Sequence, residues 1–373
     1  MTSVGRPTWA EVDLSAIRQN ILALKSLLKS PSTRFCAVVK ADGYGHGAVA
    51  VAAEAQRAGA DYLAVSILDE ALSLRSAGFT MPILILGPTP AAQAHLVVAN
   101  SLRQTICNMA QARVLSAAAV SQGLTAKVHL KVDTGMGRLG VPAREAADFA
   151  SAVAALPNLM TEGIYTHFAK SDSRDKTHAQ GQLAAFKTAL AAISERGLDI
   201  PIKHCANSAA FLDMPETQMD MVRVGIAIYG LWPSEETGRP LKLTPALRFK
   251  TRISMLKTVP AGTAISYGCT YITERPATIA TLPVGYGDGW LRELSGRIGV
   301  LAGGRKVPLV GLICMDQCMA DVSGVEELAE GDEVLLFGGP ELPAEEVARA
   351  LGTINYEVVC LLSARVPRIY LGG

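Results

Sequence analysis

The chain has 373 residues, 49% of them hydrophobic, and a formal net charge of +1. This length allows one large domain and a smaller one, and the balanced charge, without a run of like charges, argues against a nucleic-acid-binding surface. No stretch reaches the ~18 uncharged apolar residues of a membrane span, and the polar segment Met1–Glu11 lacks the pattern of a signal peptide. We therefore expect a soluble protein without membrane or nucleic-acid partners.

The cysteines indicate a reducing compartment. Their number, seven, is odd for a disulfide framework, and they are scattered from Cys36 to Cys360. Cys314 and Cys318 form the one close pair and have no histidine nearby, so no zinc site is predicted. The cytoplasm is the expected location, and no metal is expected.

The first two thirds of the chain alternate short apolar runs with helical patterns. Thr8–Val12 is predicted to be a strand, and Asp13 then caps a helix with one apolar face. The clearest later helix is Gln182–Arg196, which ends at Gly197. Eight apolar runs follow Pro31, namely Phe35–Val39, Tyr62–Ser66, Ile83–Leu86, Gln104–Cys107, Lys127–Val132, Gly163–His167, Ile202–Cys205 and Met221–Val224.

Eight strand-then-helix units in roughly 200 residues predict an α/β fold, a closed (β/α)8 barrel of the TIM type. An open, doubly wound parallel sheet is the alternative, because periodicity alone does not show closure. From Pro240 the pattern changes. Leu247–Val259 alternates apolar and polar residues as a half-buried antiparallel strand does, and glycines punctuate further strand-like runs. A second, mostly β domain is therefore predicted after the barrel.

Several chemistry-bearing residues follow the predicted barrel strands, at the end where such barrels carry their active sites. Lys40 stands where a strand ends, and three glycines within the next seven residues allow the chain to turn tightly. A lysine held at such a loop-lined position would be partly desolvated, which lowers its pKa and makes the amine available as a nucleophile or base. Ser208 and Gly225 follow the seventh and eighth strands, where a hydroxyl and close backbone approach suit a phosphate. Arg138 follows a double-glycine turn that could aim its guanidinium at a carboxylate. Together these groups indicate pyridoxal phosphate acting on an amino acid.

Each of these residues has a plainer interpretation when it is taken alone. Lys40 is then a solvated lysine at a strand end, and Arg138 and Arg223 are surface arginines. His167 suits a satisfied core histidine as well as a ligand, and Ser208 would also serve as a helix cap. The combination at consecutive strand ends favours a shared site.

The segment Val38–Gly47, VVKADGYGHG, resembles the pyridoxal-phosphate attachment motif of bacterial alanine racemases. The resemblance runs from about Thr8 to Tyr370. It implies a cofactor-binding barrel over residues 13–238, a mostly β domain over 239–373 together with 1–12, and a head-to-tail homodimer with shared active sites. The other segments similar to the family's motifs, in its order, are 131–138, 166–168, 206–208, 223–226, 266–268, 284–286, 314–316 and 355–357.

The same resemblance implies a role for each site residue. Lys40 attaches the cofactor and is the base on one face of the substrate, and Tyr267 from the partner subunit is the base on the other. Arg138 contacts the cofactor ring oxygen and the substrate carboxylate, and Met315 also reaches across from the partner subunit. Lys131 matches a lysine often found carbamylated, whose negative charge would orient Arg138. The implied cofactor-binding residues are Lys40, Tyr44, His167, Asn207, Ser208, Arg223, Gly225, Ile226 and Tyr356, and the supporting residues are Lys131, His204, Tyr286 and Asp316.

These residue types suit racemisation, which removes an α proton from one side and returns it from the other. Two bases on opposite faces, Lys40 and Tyr267, avoid any need for the intermediate to turn over. Tyrosine has an unperturbed pKa of ~10, so a hydrogen bond to a histidine such as His167 and a nearby arginine would favour its phenolate. Arg223 can only donate a hydrogen bond, so it would keep the pyridine nitrogen unprotonated and limit transamination.

The predicted function is therefore the interconversion of L-alanine and D-alanine, which supplies D-alanine for peptidoglycan. Leu312 and Ile313 follow Gly311, where many relatives carry an arginine on the entry path, so a serine or broad-specificity racemase of the same fold is the alternative. An amino-acid decarboxylase would place a carboxylate, and not Arg223, against the pyridine nitrogen. A non-catalytic cofactor-binding barrel would lack the second domain and a counterpart of Tyr267, and a Schiff-base aldolase would leave the phosphate site unexplained.

Overall fold

The computed structural model describes residues 5–373, which divide into two compact units. One unit contains Ile17–Gly43 and Ala48–Leu243, and the other contains the described residues up to Ala16, Tyr44–Gly47 and Thr244–Gly373. Residues 1–4, which the sequence assigned to the second domain, lie outside the described residues. Within residues 5–373, every helix is too short or too polar to cross a membrane.

The first unit is a barrel of eight parallel strands. The first seven strands pair in chain order, and the eighth, Met221–Val224, pairs with the first, Arg34–Val38. Between the seventh and eighth strands, Arg223 N donates to Ala206 O at 3.0 Å. This topology confirms the predicted barrel and excludes the open sheet. The barrel strands are Arg34–Val38, Tyr62–Val65, Ile83–Ile85, Arg103–Ile106, Ala126–Asp133, Leu159–Tyr165, Ile202–His204 and Met221–Val224, and the short strand Val141–Pro142 pairs with the fifth.

Seven of these strands match their predicted bounds to within one residue at each end, whereas the sixth does not. It was predicted as Gly163–His167 and is observed as Leu159–Tyr165. Its first half contains Glu162, which is buried and forms ion pairs with Arg103 and Lys127. A buried carboxylate interrupts the apolar run from which strands are predicted, so the beginning of this strand was missed.

The helices of the barrel unit each bury an apolar face. In the longest, Thr177–Glu195, the buried residues Leu183, Phe186 and Ile193 recur at helical spacing. This helix begins five residues before its predicted start at Gln182. The helices that precede or separate the barrel strands are Leu14–Lys25, Ala48–Arg57, Leu68–Ser76, Ala94–Ala99, Met109–Ser121, Ala146–Ala154, Thr177–Glu195 and Ser208–Asp213, with 3-10 turns at Ala91–Gln93, Ala143–Glu145, Pro215–Thr217 and Ile226–Tyr229.

The second unit is built on a nine-stranded sheet, which confirms the predicted mostly β domain. Thr8–Asp13 pairs antiparallel with Leu247–Arg252 and parallel with Arg368–Leu371, so the first described strand of the chain belongs to this sheet. In spatial order the strands are Met255–Val259, Ala277–Leu282, Cys318–Asp321, Arg305–Val310, Gly299–Ala302, Glu333–Phe337, Leu247–Arg252, Thr8–Asp13 and Arg368–Leu371.

One strand prediction in this unit was wrong. The alternating segment Leu247–Val259 breaks after Arg252, because its second half, Met255–Val259, pairs with Ala277–Leu282 at the far edge of the sheet. Ser254 N donates to Thr281 O at 2.9 Å as the chain moves to this new neighbour. The remaining elements of the unit are the hairpin Ala264–Ile265 with Tyr271–Ile272, the helices Ala344–Leu351 and Asn355–Cys360, and 3-10 turns at Tyr267–Cys269, Tyr286–Asp288 and Arg292–Leu294.

Candidate active site

Lys40 begins a left-handed turn directly after the first barrel strand. The next three residues have φ between 51° and 61°, a region that costs each non-glycine residue roughly 1–2 kcal/mol. Ala41 N donates to the carboxylate of Glu70 at 2.6 Å, and Ala48 N donates to Asp42 Oδ1 at 2.9 Å. These bonds hold the strained turn, so the half-buried Lys40 side chain starts from a fixed backbone.

A buried arginine lies on the last barrel strand. Arg223 is 4% exposed, and its Nη1 donates to His204 Nδ1 at 2.8 Å. Its Nη2 donates to Thr166 O at 3.0 Å and to Cys205 O at 3.2 Å, and lies 3.2 Å from His167 Nδ1. Arginine carries donors only, so both histidine nitrogens that face it must accept. Burial, followed by the charge of Arg223, lowers the pKa of both histidines well below the ordinary value, so both are neutral.

Lys131 is a buried amine beside the same network. It is 4% exposed, its Nζ donates to Val132 O at 3.1 Å, and it lies 5.0 Å from the centre of the Tyr165 ring. The Arg223 guanidinium lies 4.9 Å from that ring, which also stacks on His204 at 4.7 Å. Burial, followed by the charge of Arg223, lowers the pKa of Lys131 to about 7. Much of the amine is therefore neutral at physiological pH.

Four basic side chains act electrostatically on His167. After burial, its pKa is lowered by the charges of Arg223, Lys131, Arg138 and Lys40, in that order. The residues predicted from separate strand ends therefore share one electrostatic environment. Such a concentration of positive charge attracts an anionic ligand.

The seventh and eighth strands bring Ser208 and Gly225 together. Gly225 N donates to Ser208 Oγ at 2.9 Å, immediately before the 3-10 turn that begins at Ile226, which is buried. The residue that caps the helix beginning at Ser208 is Asn207, whose Oδ1 accepts from Ala210 N at 2.9 Å. The Ser208 hydroxyl is thus available beside a backbone amide, an arrangement suited to a phosphate.

Arg138 lies exposed on the loop after the fifth strand. Asp133 Oδ1 accepts from the backbone amides of Gly135, Met136 and Gly137 at 2.9, 3.0 and 3.1 Å. Burial raises the pKa of Asp133, but these three bonds outweigh it, so the net pKa is lowered. Gly135 and Gly137 have φ of 131° and 69°, which favours glycine. The double-glycine turn therefore presents Arg138 on an ordered loop.

In the second unit, Tyr267 projects from the loop of the hairpin formed by Ala264–Ile265 and Tyr271–Ile272. Its side chain is 71% exposed. The preceding residue, Ser266, has φ of 67°, and its Oγ donates to Leu312 O at 2.5 Å. A strained residue fixed by a short bond thus determines where the tyrosine leaves the hairpin.

Tyr286 and Met315 lie on two backbone segments in direct contact. Tyr286 N donates to Cys314 O at 3.1 Å, and a Cβ on Gly285 would lie only 2.2 Å from the same oxygen. Glycine is therefore required at that position. The Met315 side chain is 54% exposed, and that of Tyr286 is 41% exposed.

Asp316 is held by an arginine that also binds a buried aspartate. Arg365 Nη2 lies 2.7 Å from Asp316 Oδ1, and Arg365 Nε lies 2.6 Å from Asp288 Oδ1. Asp288 is fully buried and also accepts from Arg6 Nη1 at 2.5 Å and from Gly285 N at 3.0 Å. Asp288 therefore links Arg6, Arg365 and the backbone of Gly285 within the second unit.

Tyr44 and Tyr356, both predicted to bind a cofactor, contact each other in the second unit. Their ring centres are 6.1 Å apart with the planes tilted by 51°. A Cβ on Gly45 would lie 2.1 Å from Val359 O, so glycine allows the Tyr44 loop to pack against the helix Asn355–Cys360. Burial raises the pKa of Tyr44, so its hydroxyl stays protonated.

Comparison with known proteins gives the family. Residues 12–233 match the alanine racemase N-terminal domain, and residues 246–370 match the alanine racemase C-terminal domain. The chain belongs to the alanine racemase family. The resemblance read from Val38–Gly47 is therefore confirmed, and this family is dependent on pyridoxal phosphate.

Relatives cover the chain from end to end. An alanine racemase of Desulfovibrio desulfuricans is 56% identical over 371 residues, which is 100% of both chains. One of Methanococcus maripaludis is 46% identical over 373 residues, covering 99% of this chain and 100% of that protein. Among solved structures, alanine racemase of Clostridium difficile 630 has a TM-score of 0.97 at 40% identity, covering 99% of this chain and 97% of that one.

The structure brings the family's expected site residues into four groups. Those of the barrel unit are the cationic network of Lys131, His167, His204 and Arg223, and the pair Ser208 and Gly225. Those of the second unit are the pair Tyr44 and Tyr356, and the touching segments that carry Tyr286, Met315 and Asp316. Tyr267 and Arg138 are exposed, and neither belongs to these contact groups.

Sequence reasoning missed three residues inside the barrel. The Tyr165 ring centre lies 5.0 Å from Lys131 Nζ and 4.9 Å from the Arg223 guanidinium, and His129 Nδ1 lies 2.9 Å from His204 Nε2. The third is Glu162, which His129 contacts. His129 was detectable, because it stands two residues before Lys131 on one strand and alternate residues share a face. Tyr165 carried the same signal, because it stands two residues before His167 in the predicted strand Gly163–His167, whereas Glu162 lies just before that predicted strand.

Proposed function

We propose that this chain interconverts L-alanine and D-alanine in the cytoplasm, using pyridoxal phosphate bound at the carboxyl ends of the barrel strands, and supplies D-alanine for peptidoglycan. The observation that carries the proposal is the cluster of basic side chains at the half-buried His167: Arg223 Nη2 lies 3.2 Å from its Nδ1, and Lys40, Lys131 and Arg138 are close enough to lower its pKa. A phosphate and a substrate carboxylate would supply the negative charge that this cluster lacks.

The donor set of the barrel fits the cofactor. The Lys40 amine would form the covalent attachment, and Ser208, Gly225 and Ile226 would hold the phosphate, with Asn207 capping the helix that begins at Ser208. Arg223 would donate to the pyridine nitrogen. On the resemblance alone, Tyr44 and Tyr356 are proposed for the phosphate as well, and Tyr286 and Asp316 as supporting residues. When bound, pyridoxal phosphate withdraws electrons from the α carbon and so makes the α proton acidic.

The protein's own residues would then move the proton and orient the substrate. Lys40 would take or return the α proton on one face, and Tyr267 would do so on the other. Arg138 would bind the substrate carboxylate. Arg223 would hold the pyridine nitrogen as an acceptor without protonating it, because a guanidinium oriented by His204 can only donate.

We also propose a head-to-tail homodimer in which Tyr267 and Met315 serve the partner's site. Both side chains are large and apolar and are more than half exposed in the single chain, as residues of a surface that contacts a partner would be. The proposed domains are residues 13–238 and residues 239–373 with 1–12. Sedimentation equilibrium should give the mass of two chains, and a monomer that racemises alanine at full rate would contradict the shared site.

The test of the activity begins with the purified protein and added pyridoxal phosphate. Borohydride reduction followed by peptide mass mapping should find the cofactor on Lys40, and Lys40→Ala should bind without covalent attachment. Racemisation of L-alanine is then followed with a D-amino-acid oxidase assay. A protein that leaves the cofactor spectrum unchanged and produces no D-alanine would overturn the proposal.

A broad-specificity or serine racemase is the second candidate, favoured by Leu312. Its Cδ1 lies 3.8 Å from a Cβ built on Gly268, so an apolar side chain stands beside the Tyr267 loop. A panel of L-alanine, L-serine and L-lysine distinguishes the two candidates. Faster turnover of serine or lysine than of alanine would select the second.

A further inference from the structure

A continuous row of buried polar groups crosses the interior of the barrel from Arg223. His204 Nε2 lies 2.9 Å from His129 Nδ1, and His129 Nε2 lies 3.4 Å from Glu162 Oε2. The two histidines are fully buried, and Glu162 is 7% exposed. Because Arg223 reaches His204 Nδ1 at 2.8 Å, four side chains from four strands form one hydrogen-bonded chain.

The groups at the two ends of this row of hydrogen bonds give all of its bonds one donor-to-acceptor direction. Arg223 only donates, so His204 Nδ1 accepts and its proton lies on Nε2. That N–H donates to His129 Nδ1, which leaves the proton of His129 on Nε2, facing a carboxylate that only accepts. Both ends therefore select the same tautomer of both histidines. Burial lowers the pKa of each histidine, which agrees with neutral rings.

The carboxylate at the far end is kept ionised by its surroundings. Glu162 forms ion pairs with Arg103 Nε at 3.1 Å and with Lys127 Nζ at 2.9 Å, and it accepts from Tyr62 OH at 3.0 Å. Burial raises its pKa, but the bonds from His129 and the two cations outweigh burial, so the pKa lies well below the usual range. A permanent negative charge thus polarises the row.

The backbone is shaped to admit this row. The pairing of the fifth and sixth barrel strands shifts register between Val128 and His129, opposite Thr161 and Gly163, so that Glu162 is the extra residue of a bulge. A Cβ on Gly163 would lie 2.3 Å from His129 Nδ1, so any larger residue would displace the imidazole. The bulge at Glu162 and the glycine at position 163 therefore both accommodate the contact between His129 and Glu162.

We propose that Glu162 is a positioning residue for the reaction: acting through His129 and His204, its carboxylate fixes the hydrogen-bond acceptor that orients Arg223. This inference rests on the proposed function, because Arg223 matters to catalysis only if it faces the cofactor. Ordered chains of hydrogen bonds strengthen one another. Losing the far acceptor frees His129 to rotate or to adopt the other tautomer, and the bond to Arg223 then weakens.

The test compares Glu162→Met, which removes the acceptor, with Glu162→Gln, which keeps an acceptor without the charge. Nitrogen-15 NMR of histidine-labelled protein should show His129 and His204 protonated on Nε2 in the unaltered protein. Glu162→Met should show mixed tautomers, an altered absorption spectrum of the bound cofactor and a kcat lowered about tenfold. Glu162→Gln should retain the tautomers and recover most of the kcat.

Two control variants separate positioning from general stability. Lys127→Met removes an ion pair of Glu162 but leaves the contact with His129, so tautomers should not change. Glu54→Met removes a fully buried carboxylate that pairs with Arg18 and Arg57 elsewhere in the barrel unit. If Glu54→Met changes the tautomers and spectrum as Glu162→Met does, the positioning role is wrong.

Other outcomes also decide the proposal. A proton on Nδ1 of His204 in the unaltered protein would overturn it, even if Glu162→Met failed to fold. Wild-type tautomers and a kcat within about twofold in Glu162→Met would overturn it as well. Failure of the proposed function is recognised separately, because the unaltered protein would then neither bind pyridoxal phosphate nor racemise alanine.

Discussion

The amine of Lys131 lies 5.0 Å from the centre of the Tyr165 ring. Its hydrogen bond goes to the backbone carbonyl of Val132, and the charge of Asp133 offsets only part of the effect of burial and of Arg223 on its pKa. A buried amine among aromatic and backbone groups loses much of the solvation that its charged form needs, which lowers its pKa to about 7. The charged form of Lys131 consequently lowers the stability of the folded protein, and its neutral form is a nucleophile.

The stability cost should depend on pH. Between about pH 7 and 10.5 the unfolded chain holds a proton on Lys131 that the folded chain has released, so the free energy of unfolding rises with pH in that window. Below pH 7 both states are protonated and the penalty is constant. Lys131→Met should therefore be more stable than the unaltered protein at pH 6, by on the order of a few kcal/mol. The difference should shrink towards pH 10.

Urea unfolding in carbon-dioxide-free buffer from pH 6 to 10 measures this difference. The control is Lys187→Met, an exposed lysine on the helix Thr177–Glu195, which should leave the pH dependence unchanged. A stability difference for Lys131→Met that is flat across the range would contradict the buried-amine account.

A neutral lysine also reacts with carbon dioxide to form a carbamate, with release of one proton. At Lys131 the new negative charge would lie near Arg223 and Arg138, which favours the product. Carbon-13 bicarbonate added at pH 8 should give one carbamate resonance, which Lys131→Ala abolishes. Persistence of that resonance in Lys131→Ala would show that another amine had reacted.

Removal of the Tyr267 hydroxyl should impair one face of the reaction. Tyr267→Phe is expected to lower racemisation by about 10²–10⁴-fold, the usual loss of a positioned acid–base group. Exchange of the α proton with deuterated solvent should survive for only one enantiomer, because Lys40 remains. Tyr271→Phe is the matched control, because Tyr271 lies on the same hairpin and its hydroxyl donates to Asp321 at 3.3 Å. Racemisation within about threefold of normal in Tyr267→Phe would exclude it as a base.

The Ser208 hydroxyl should contribute to cofactor affinity. Ser208→Ala is expected to weaken pyridoxal-phosphate binding by roughly tenfold, as loss of one hydrogen bond to a charged group does. Titration of the cofactor-free protein by absorbance measures the affinity. Ser116→Ala, which removes a buried hydroxyl that donates to Pro157 O at 2.6 Å, should leave it unchanged. Equal losses in both variants would indicate a general effect on folding.

Arg223 should determine which product forms. A carboxylate at this position would accept a hydrogen bond from the pyridine nitrogen and keep that nitrogen protonated, so Arg223→Glu should raise pyridoxamine formation relative to racemisation by roughly tenfold or more. Arg223→Lys keeps a group that only donates, and its ratio should stay low. Both products can be measured in one incubation by chromatography. An unchanged ratio in Arg223→Glu would contradict the proposal that Arg223 limits transamination.

Much of the barrel and of the site was predictable from local sequence. The eight apolar runs and the helical patterns between them depend on residues close together in the chain. A residue that directly follows one of these runs lies at the carboxyl end of that strand. This is why Lys40, Ser208 and Arg223 could be assigned to one end of the barrel. The same local rule failed for Leu247–Val259, because alternation does not reveal that the chain changes partners at Ser254.

The turn after the first barrel strand was only partly predictable from the local sequence. Glycines at 43, 45 and 47 predicted a tight turn after Lys40. They did not predict that Ala41 and Asp42 also adopt left-handed backbone angles. That conformation requires the carboxylate of Glu70, which reaches the turn from the helix after the next strand. A contact of that kind is set by folding and not by the neighbouring residues.

By itself, the sequence determined the order of the elements, the two-domain composition and the chemical types placed at each strand end, because all of these follow from patterns a few residues long. Only the tertiary structure decided which polar groups meet inside the barrel. Glu162, His129 and His204 come from three strands far apart in the chain. The closed barrel removes them from water, and buried polar groups must then bond to one another. That requirement cannot be read from any one segment.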